Sequence, residues 1–172
     1  MSLSDQIPAF KRIIPDSQFI SSSTDLTKGI GSLHANCAIS ADGKRILSLS
    51  AVIDKFGNLN NWKKHVRENT LIEANGQKSF RFGEEGLSSP NSTAIFVPCS
   101  TEDEDGRRRN GYALSVLVNS YGTAKSESGE HRQDLVNLAA RMAQYAASEA
   151  QCSEAQNLPQ HAPQVRAVSK SG

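Results

Sequence analysis

Two runs of alternating side chains flank an Asp-Gly pair, and this feature most limits the folds open to the chain. Residues 33–40 place apolar side chains at every second position, and residues 45–53 do the same. A period of two is that of a strand with one buried face. Asp42-Gly43, between the two runs, tolerates the positive φ angles of a tight turn. The pattern predicts a β-hairpin over residues 33–53.

A second hairpin is predicted further along the chain. Thr93–Cys99 is rich in β-branched and aromatic residues, and Tyr112–Val118 again alternates. The connection over residues 101–111 has no apolar side chain, so we expect an exposed loop. Between the hairpins, residues 70–90 are punctuated by glycine and proline and give one weak strand signal, at residues 79–82.

Two helices complete the predicted domain. Residues 58–68 place Leu59, Trp62 and Val66 on one face of a short helix. A long C-terminal helix begins near Ser128 and Gly129, which are plausible capping residues. Its predicted buried stripe consists of large apolar residues interleaved with alanines: Leu135, Leu138, Met142 and Tyr145, with Ala139, Ala143, Ala146 and Ala150.

These elements predict an α+β fold, an antiparallel sheet built from two hairpins with the short helix and the long C-terminal helix packed on one face. Residues 1–30 show no clear hydrophobic period and are predicted to be an irregular segment. Residues 153–172 carry two prolines and no aromatic residue, which predicts a disordered tail. The single α+β domain is therefore expected within residues 31–152.

Charge and hydropathy exclude several classes of protein. The 172 residues include 19 Lys and Arg against 18 Asp and Glu, a net charge of +1. This balance argues against a generally basic nucleic-acid binder, so no nucleic-acid partner is expected. The longest apolar run, residues 94–97, falls far short of the ~20 residues that a membrane-spanning helix needs. No membrane span is expected in this chain.

The loop over residues 101–111 partly matches the sequence pattern of a calcium site. Asp103, Asp105 and Gly106 fit three positions of a calcium-binding loop. Thr101 occupies the first ligand position, however, and Tyr112 stands at the twelfth, where a bidentate glutamate belongs. The predicted flanking elements are also strands rather than helices. The calcium interpretation fails on these grounds.

Three arginines in the same loop are a candidate surface contact. Arg107, Arg108 and Arg109 follow four acidic residues, with Gly106 between the two groups. Arginine side chains can bind phosphate, but neighbouring carboxylates compensate their charge. A solvated, self-compensating loop tip is therefore the favoured interpretation, with the arginines as a possible contact loop for another molecule.

No catalytic, cofactor-binding or metal-binding residue is predicted. The four histidines show no metal-ligand spacing. A Cys–His nucleophile pair of Cys37 with His65 or His131 could arise only through the fold. Cys37 shares its strand face with apolar neighbours, which favours a packed thiol or half of a disulfide. A Cys37-dependent enzyme is the least favoured hypothesis.

The other two of the three cysteines are Cys99, at the end of a predicted strand, and Cys152, just past the long helix. A bridge between them would tie the end of the helix to the end of a strand. The spacing alone is equally compatible with two unrelated reduced thiols. If the bridge forms, Cys37 is left unpaired.

The chain combines Cys37 in an alternating strand, the Asp42-Gly43 turn, Trp62, Phe96-Val97-Pro98-Cys99, Tyr112-Ala113-Leu114-Ser115-Val116, and an alanine-rich helix closing on Cys152. This combination resembles the extracytoplasmic domains of actinobacterial (streptomycete-type) membrane-anchored or secreted proteins of unknown function. The resemblance covers roughly residues 31–152. It implies an α+β domain outside the membrane, a Cys99–Cys152 bridge and no catalytic residues.

The leading hypothesis is a non-enzymatic extracytoplasmic interaction or ligand-binding domain, with a protein or small molecule as its unidentified partner. The start Met1-Ser2-Leu3-Ser4 lacks the basic and apolar regions of a signal peptide. Either an export segment has been removed, or the protein is cytoplasmic. The alternative is a cytosolic sensing module, since residues 93–150 resemble the last third of GAF or PAS domains. That alternative predicts a ligand pocket between the sheet and residues 55–90.

Overall fold

The computed structural model describes residues 13–14, 20–29, 32–70, 72, 76–102, 105, 107–109, 111–121 and 129–165. The helices of this part of the chain are α1 (Leu59–Asn69), α2 (Gly129–Glu149) and a short 3-10 helix (Ser153–Asn157). The strands are β1 (Ile20–Gly29), β2 (Ser32–Ala41), β3 (Lys44–Asp54), β4 (Lys78–Phe80), β5 (Glu85–Ser88), β6 (Ser92–Pro98), β7 (Thr101–Glu102), β8 (Arg108–Arg109) and β9 (Ala113–Ser120).

Seven of these strands form one sheet in the order β1-β2-β3-β9-β6-β5-β4, with every neighbouring pair antiparallel. β7 and β8 pair separately as a short ribbon between β6 and β9. The predicted α+β class is confirmed. Both predicted hairpins form as well, although the sheet contains further strands at each edge.

The first hairpin, β2–β3, forms at the Asp42-Gly43 turn, as the sequence predicts. Asp42 and Gly43 both adopt positive φ angles, 50° and 76°, at the turn between β2 and β3. Such a turn matches the twist of the flanking strands, which fixes their register. Cys37 is consequently paired with Leu49, and the apolar side chains of both strands point to the same face.

The two helices pack on opposite faces of the sheet, so the prediction that they share one face is wrong. α2 lies on the face that carries Ile95 and Val116, and those residues belong to one core cluster with its alanines. α1 lies on the other face, where Trp62 joins a second cluster with Phe96. The central strands β6 and β9 are buried on both faces because one helix covers each side of the sheet there.

The stripe that α2 buries differs from the predicted one at its margins. Tyr145 is 58% exposed and Met142 is only partly buried, whereas Val136, Ala140 and Ala147 are buried in addition. Small side chains let the helix backbone approach the strands closely, so the alanines form the contact together with Leu135 and Leu138. The helix begins at Gly129. The predicted cap Ser128 lies outside the described residues.

Part of the N-terminal segment is regular, which corrects the prediction of an irregular segment over residues 1–30. Residues 20–29 form β1, paired along its whole length with β2. All side chains described for this strand are exposed. A strand with no buried face has no reason to alternate, and the sequence accordingly shows no hydrophobic period. Ile13 is also buried in the core on the α2 face.

Residues 153–165 are ordered, so the prediction of a disordered tail from residue 153 is wrong for this part. The side chain of Gln133 on α2 binds the backbone of the returning chain: its Nε2 donates to the carbonyl of Pro163 at 2.9 Å, and its Oε1 accepts from Val165 N at 2.8 Å. Val165 is buried. Hydrogen bonds hold this segment although its composition is poor in apolar residues. Residues 166–172 lie outside the described residues.

Within the described residues, no helix has the length and the apolar character required to cross a membrane.

Candidate functional site

One region of the sheet presents polar side chains to solvent. Strand alternation places them on the face opposite α2, on β1, β2, β3 and the end of β9. We call this region the open face. It comprises Ser21, Ser23, Asp25, Thr27, His34, Asn36, Ala38, Ser48, Ser50, Asn119 and Tyr121. These residues are exposed or half-buried, unlike their neighbours under α1.

Hydrogen bonds within the open face orient several of its side chains. Asn36 Nδ2 lies 3.2 Å from His34 Nε2, so the amide donates to the ring when that nitrogen is unprotonated. Ser48 Oγ lies 3.2 Å from the Tyr121 hydroxyl. Asn119 Oδ1 accepts from the hydroxyl of Ser92 at 2.6 Å. The face is therefore partly preorganised and still offers unused hydroxyl and amide groups.

The open face is close to electrically neutral. Among the residues named, Asp25 is the one charged side chain, and the exposed Arg45, which stands opposite Ser40, lies on the same side of the sheet at the start of β3. Its members stand opposite one another in register, with Asn36 between Asp25 and Ser50. Adjacent strands lie about 4.8 Å apart, so these groups form a flat array of donors and acceptors.

The other half of the same side of the sheet is closed by α1. Trp62 and Val66 are fully buried against Leu87 and Phe96. The indole Nε1 of Trp62 donates to the hydroxyl of Ser115 at 2.9 Å, which satisfies both polar groups. These side chains occupy the position where the GAF/PAS hypothesis predicts a ligand pocket.

The predicted arginine contact loop is exposed where it is described. Arg107 lies 3.9 Å from Asp105, and both side chains are largely solvated. In the β7–β8 ribbon, Arg108 stands opposite Glu102. Surface ion pairs of this kind contribute little to stability. The arrangement agrees with a self-compensating loop tip. Asp103 and Gly106, which match two positions of the rejected calcium-binding pattern, lie outside the described residues.

Cys99 and Cys152 form a disulfide, with their Cα atoms 4.8 Å apart. The bond joins the end of β6 to the turn that follows α2. Hydrogen bonds reinforce the same junction: Glu154 accepts from the backbone N–H and from the hydroxyl of Ser100, both at 2.8 Å. The backbone N–H of Ser153 donates to the carbonyl of Ser100 at 2.9 Å. The hydroxyl of Ser153 donates to the same carbonyl at 3.0 Å. The junction is thus held covalently and by four hydrogen bonds.

Cys37 is the unpaired cysteine, and its surroundings do not activate it. It is partly exposed on the α2 face, between Thr24 and Leu49. Burial raises the pKa of its thiol, which disfavours the thiolate that a nucleophile requires. A reactive cysteine needs the opposite shift.

The fold also keeps the predicted histidine partners away from Cys37. His65 lies on α1, on the other face of the sheet, with its ring 5.5 Å from that of Phe56. His131 lies in the first turn of α2, next to Arg132, which donates to the carbonyl of Gly76 ahead of β4. Strands β3, β9, β6 and β5 separate that edge from β2. The structure brings neither histidine to Cys37.

The described residues contain no group of three or more histidine, cysteine, aspartate or glutamate side chains that could hold a metal ion. Comparisons with known proteins give no function to transfer: no family model, no curated protein and no solved structure matches this chain. The open face is the candidate site that remains, and sequence reasoning missed it. The sequence feature that corresponds to the open face is the set of polar positions in the alternating runs that predict the first hairpin.

Proposed function

We propose that this chain is a non-enzymatic binding module that acts outside the cytoplasm, with the open face as its binding surface. The observation that carries the proposal is the contrast between the two halves of one side of the sheet. α1 covers one half with a fully buried cluster, whereas the other half exposes an oriented array of hydroxyl and amide groups. Such an array does not take part in core packing, but it can form hydrogen bonds with a ligand.

The chemistry of the open face favours a neutral, hydroxyl-rich ligand, such as a carbohydrate chain. Serine, asparagine and histidine side chains can donate to and accept from sugar hydroxyls. Tyr121, which is 36% exposed at the margin, offers an aromatic ring next to them. A polyanion such as a nucleic acid would need lysine or arginine here, and Asp25 would repel it.

A nuclear magnetic resonance titration tests this binding surface. We expect one member of a panel of neutral oligosaccharides to shift the amide resonances of β2 and β3, and the variant Asn36→Ala/Ser50→Ala to weaken that binding at least about tenfold. Ser79→Ala is the matched control, because Ser79 is exposed on β4 at the far edge of the sheet. The absence of shifts with the whole panel would contradict the carbohydrate assignment.

The same type of amide spectra, recorded with small metabolites, distinguishes the proposed binding surface from that of the sensing alternative. A cytosolic module of the GAF/PAS type would bind its ligand between α1 and the sheet. Shifts confined to residues around Trp62 and Phe96, in a screen of small metabolites, would therefore overturn the open face as the binding surface.

The proposed location rests on the disulfide. Disulfides persist in oxidising compartments and are rare in the cytosol. In protein isolated from its native host, alkylation without reductant followed by intact-mass measurement should find one free thiol, that of Cys37. Three free thiols would contradict an extracytoplasmic location and leave the binding test unaffected.

A further inference from the structure

Within the described part of the chain, β1 is an edge strand of the sheet and has the properties of a surface that pairs with another strand. β1 is ten residues long, contains no proline and has its one glycine at its end. It pairs with β2 without a bulge, so its outer edge is regular. β4, at the opposite edge, has only three residues. A long, regular edge strand is a template for strand addition. Asp25 and Lys28 are the charged residues of β1 that oppose such addition, and Lys28 forms an ion pair with Glu149.

Exposed apolar side chains on β1 indicate where a partner strand would lie. Ile20 is 54% exposed and Leu26 is 51% exposed, and the alternation of the strand puts both on the α2 face. Among the described residues, the other large hydrophobic side chains with such exposure are Tyr121 and Tyr145. Burying Ile20 and Leu26 against apolar neighbours would favour association.

We propose that two copies of this chain associate through β1, antiparallel, about a two-fold axis at Ser23. An axis perpendicular to the sheet keeps each face continuous, so opposed residues must belong to the same face. With the axis at Ser23, Ile20 of each copy stands opposite Leu26 of the other. Ser21 then stands opposite Asp25, and Ser22 opposite Thr24.

Other registers pair the strand less well. An axis at Asp25 would oppose the two Asp25 carboxylates, and like charges in that position are destabilising. An axis at Thr24 would oppose Ile20 with Lys28, which already forms an ion pair with Glu149 at 3.0 Å. The axis at Ser23 avoids both conflicts and pairs both exposed apolar residues. This self-complementary register is the reason for assigning the edge to a second copy of the chain.

The dimer would double the sheet and place both open faces on the same side, with both α2 helices on the other. A ligand with repeating units could then contact both open faces, which raises avidity without new contacts. The dimer itself does not depend on that ligand. Its test is consequently independent of the carbohydrate titration.

Charge substitutions test the pairing and its register. The wild-type chain should show a concentration-dependent monomer–dimer equilibrium in sedimentation velocity. The variant Ile20→Lys/Leu26→Lys opposes lysine to lysine and should weaken dimerisation at least about tenfold. The variant Ile20→Lys/Leu26→Glu opposes lysine to glutamate and should restore the dimer. Because these side chains are exposed in the monomer, the variants should fold, which circular dichroism verifies.

Cysteine crosslinking tests the position of the axis. In a Cys37→Ser background, Ser23→Cys places two thiols directly opposite each other, with Cα atoms about 5 Å apart, within disulfide range. Ser21→Cys is the matched control on the same strand and face, where the two Cα atoms would lie about 13 Å apart. We expect a crosslinked dimer with Ser23→Cys only. A wild-type protein that is monomeric across the concentration series, or equal crosslinking at both positions, would overturn the proposal.

Discussion

His131 shows how strongly the position of a single residue affects its chemistry. It is buried in the first turn of α2, and its Nε2 has no hydrogen-bond partner among the described residues. Burial lowers the pKa of the imidazole, and the nearby Asp134 carboxylate offsets part of this effect. The positive end of the helix dipole also disfavours a charged imidazole here. In the folded protein, His131 is therefore held in its neutral form.

This burial predicts a stability that depends on pH. The imidazole pKa is lower in the folded state than the value of about 6.5 in the unfolded state, so the unfolded state binds the proton first. The free energy of unfolding should therefore fall as the pH drops below about 6.5, and His131→Gln should flatten that dependence. Urea unfolding between pH 5 and pH 8 measures it.

The matched control for this prediction is His161→Gln, since His161 is exposed in the segment that follows α2. The pH dependence of the control should equal that of the wild type. If His131→Gln keeps the full dependence, another group is responsible for it.

At the scale of elements, packing explains which parts could be predicted from sequence. The β2–β3 hairpin was predictable because one buried face and local turn chemistry at Asp42-Gly43 determine it. β1 was not, because a strand exposed on both faces has no hydrophobic period. β5 lies in a glycine-rich stretch and is positioned by its pairing with β6, which is a non-local contact. The placement of α1 and α2 on opposite faces also depends on tertiary packing and not on local sequence.

The candidate site was predictable only in part. In the predicted exposed loop over residues 101–111, Glu102, Asp105 and Arg107 are exposed, whereas Thr101 is only 4% exposed. The open face was not predicted because serine and asparagine on a strand are also typical of an ordinary solvated face. Only the position of α1, which leaves these residues uncovered, distinguishes them.

The docking of α1 depends on one buried hydrogen bond. Ser115→Ala would leave the indole N–H of Trp62 buried and unpaired, so it should lower the free energy of unfolding by about 1–3 kcal/mol. Ser50→Ala, on the open face, should change it by less than about 0.5 kcal/mol. Chemical denaturation followed by Trp62 fluorescence measures both. Equal effects of the two substitutions would show that the hydrogen bond does not stabilise this contact.

For the whole molecule, the disulfide connects elements that are distant in sequence. Cys99 and Cys152 are 53 residues apart, and the chain between them contains β9 and α2. Closing a loop of this length lowers the entropy of the unfolded chain, which stabilises the fold by about 4 kcal/mol in the chain-entropy model. The bonds of Glu154 at the same junction should keep the reduced protein close to its native arrangement.

Removing the disulfide should therefore destabilise the protein without changing its fold. We expect Cys99→Ser/Cys152→Ser to lower the free energy of unfolding by about 4 kcal/mol and to keep the circular dichroism spectrum of the wild type. Cys37→Ser is the control and should have little effect, because that thiol is unpaired. An unchanged denaturation midpoint in the double variant would contradict a structural role for the bridge.

The bridge also makes the segment from Cys99 to Cys152 a covalent ring, and the exposed Arg107 lies within it. Cleavage of the peptide bond after this arginine by trypsin would open the ring without separating its two ends. The nicked protein would migrate as one species until a reductant is added and as two fragments afterwards. Over this third of the chain, the protein can therefore lose a peptide bond and still remain one covalent molecule.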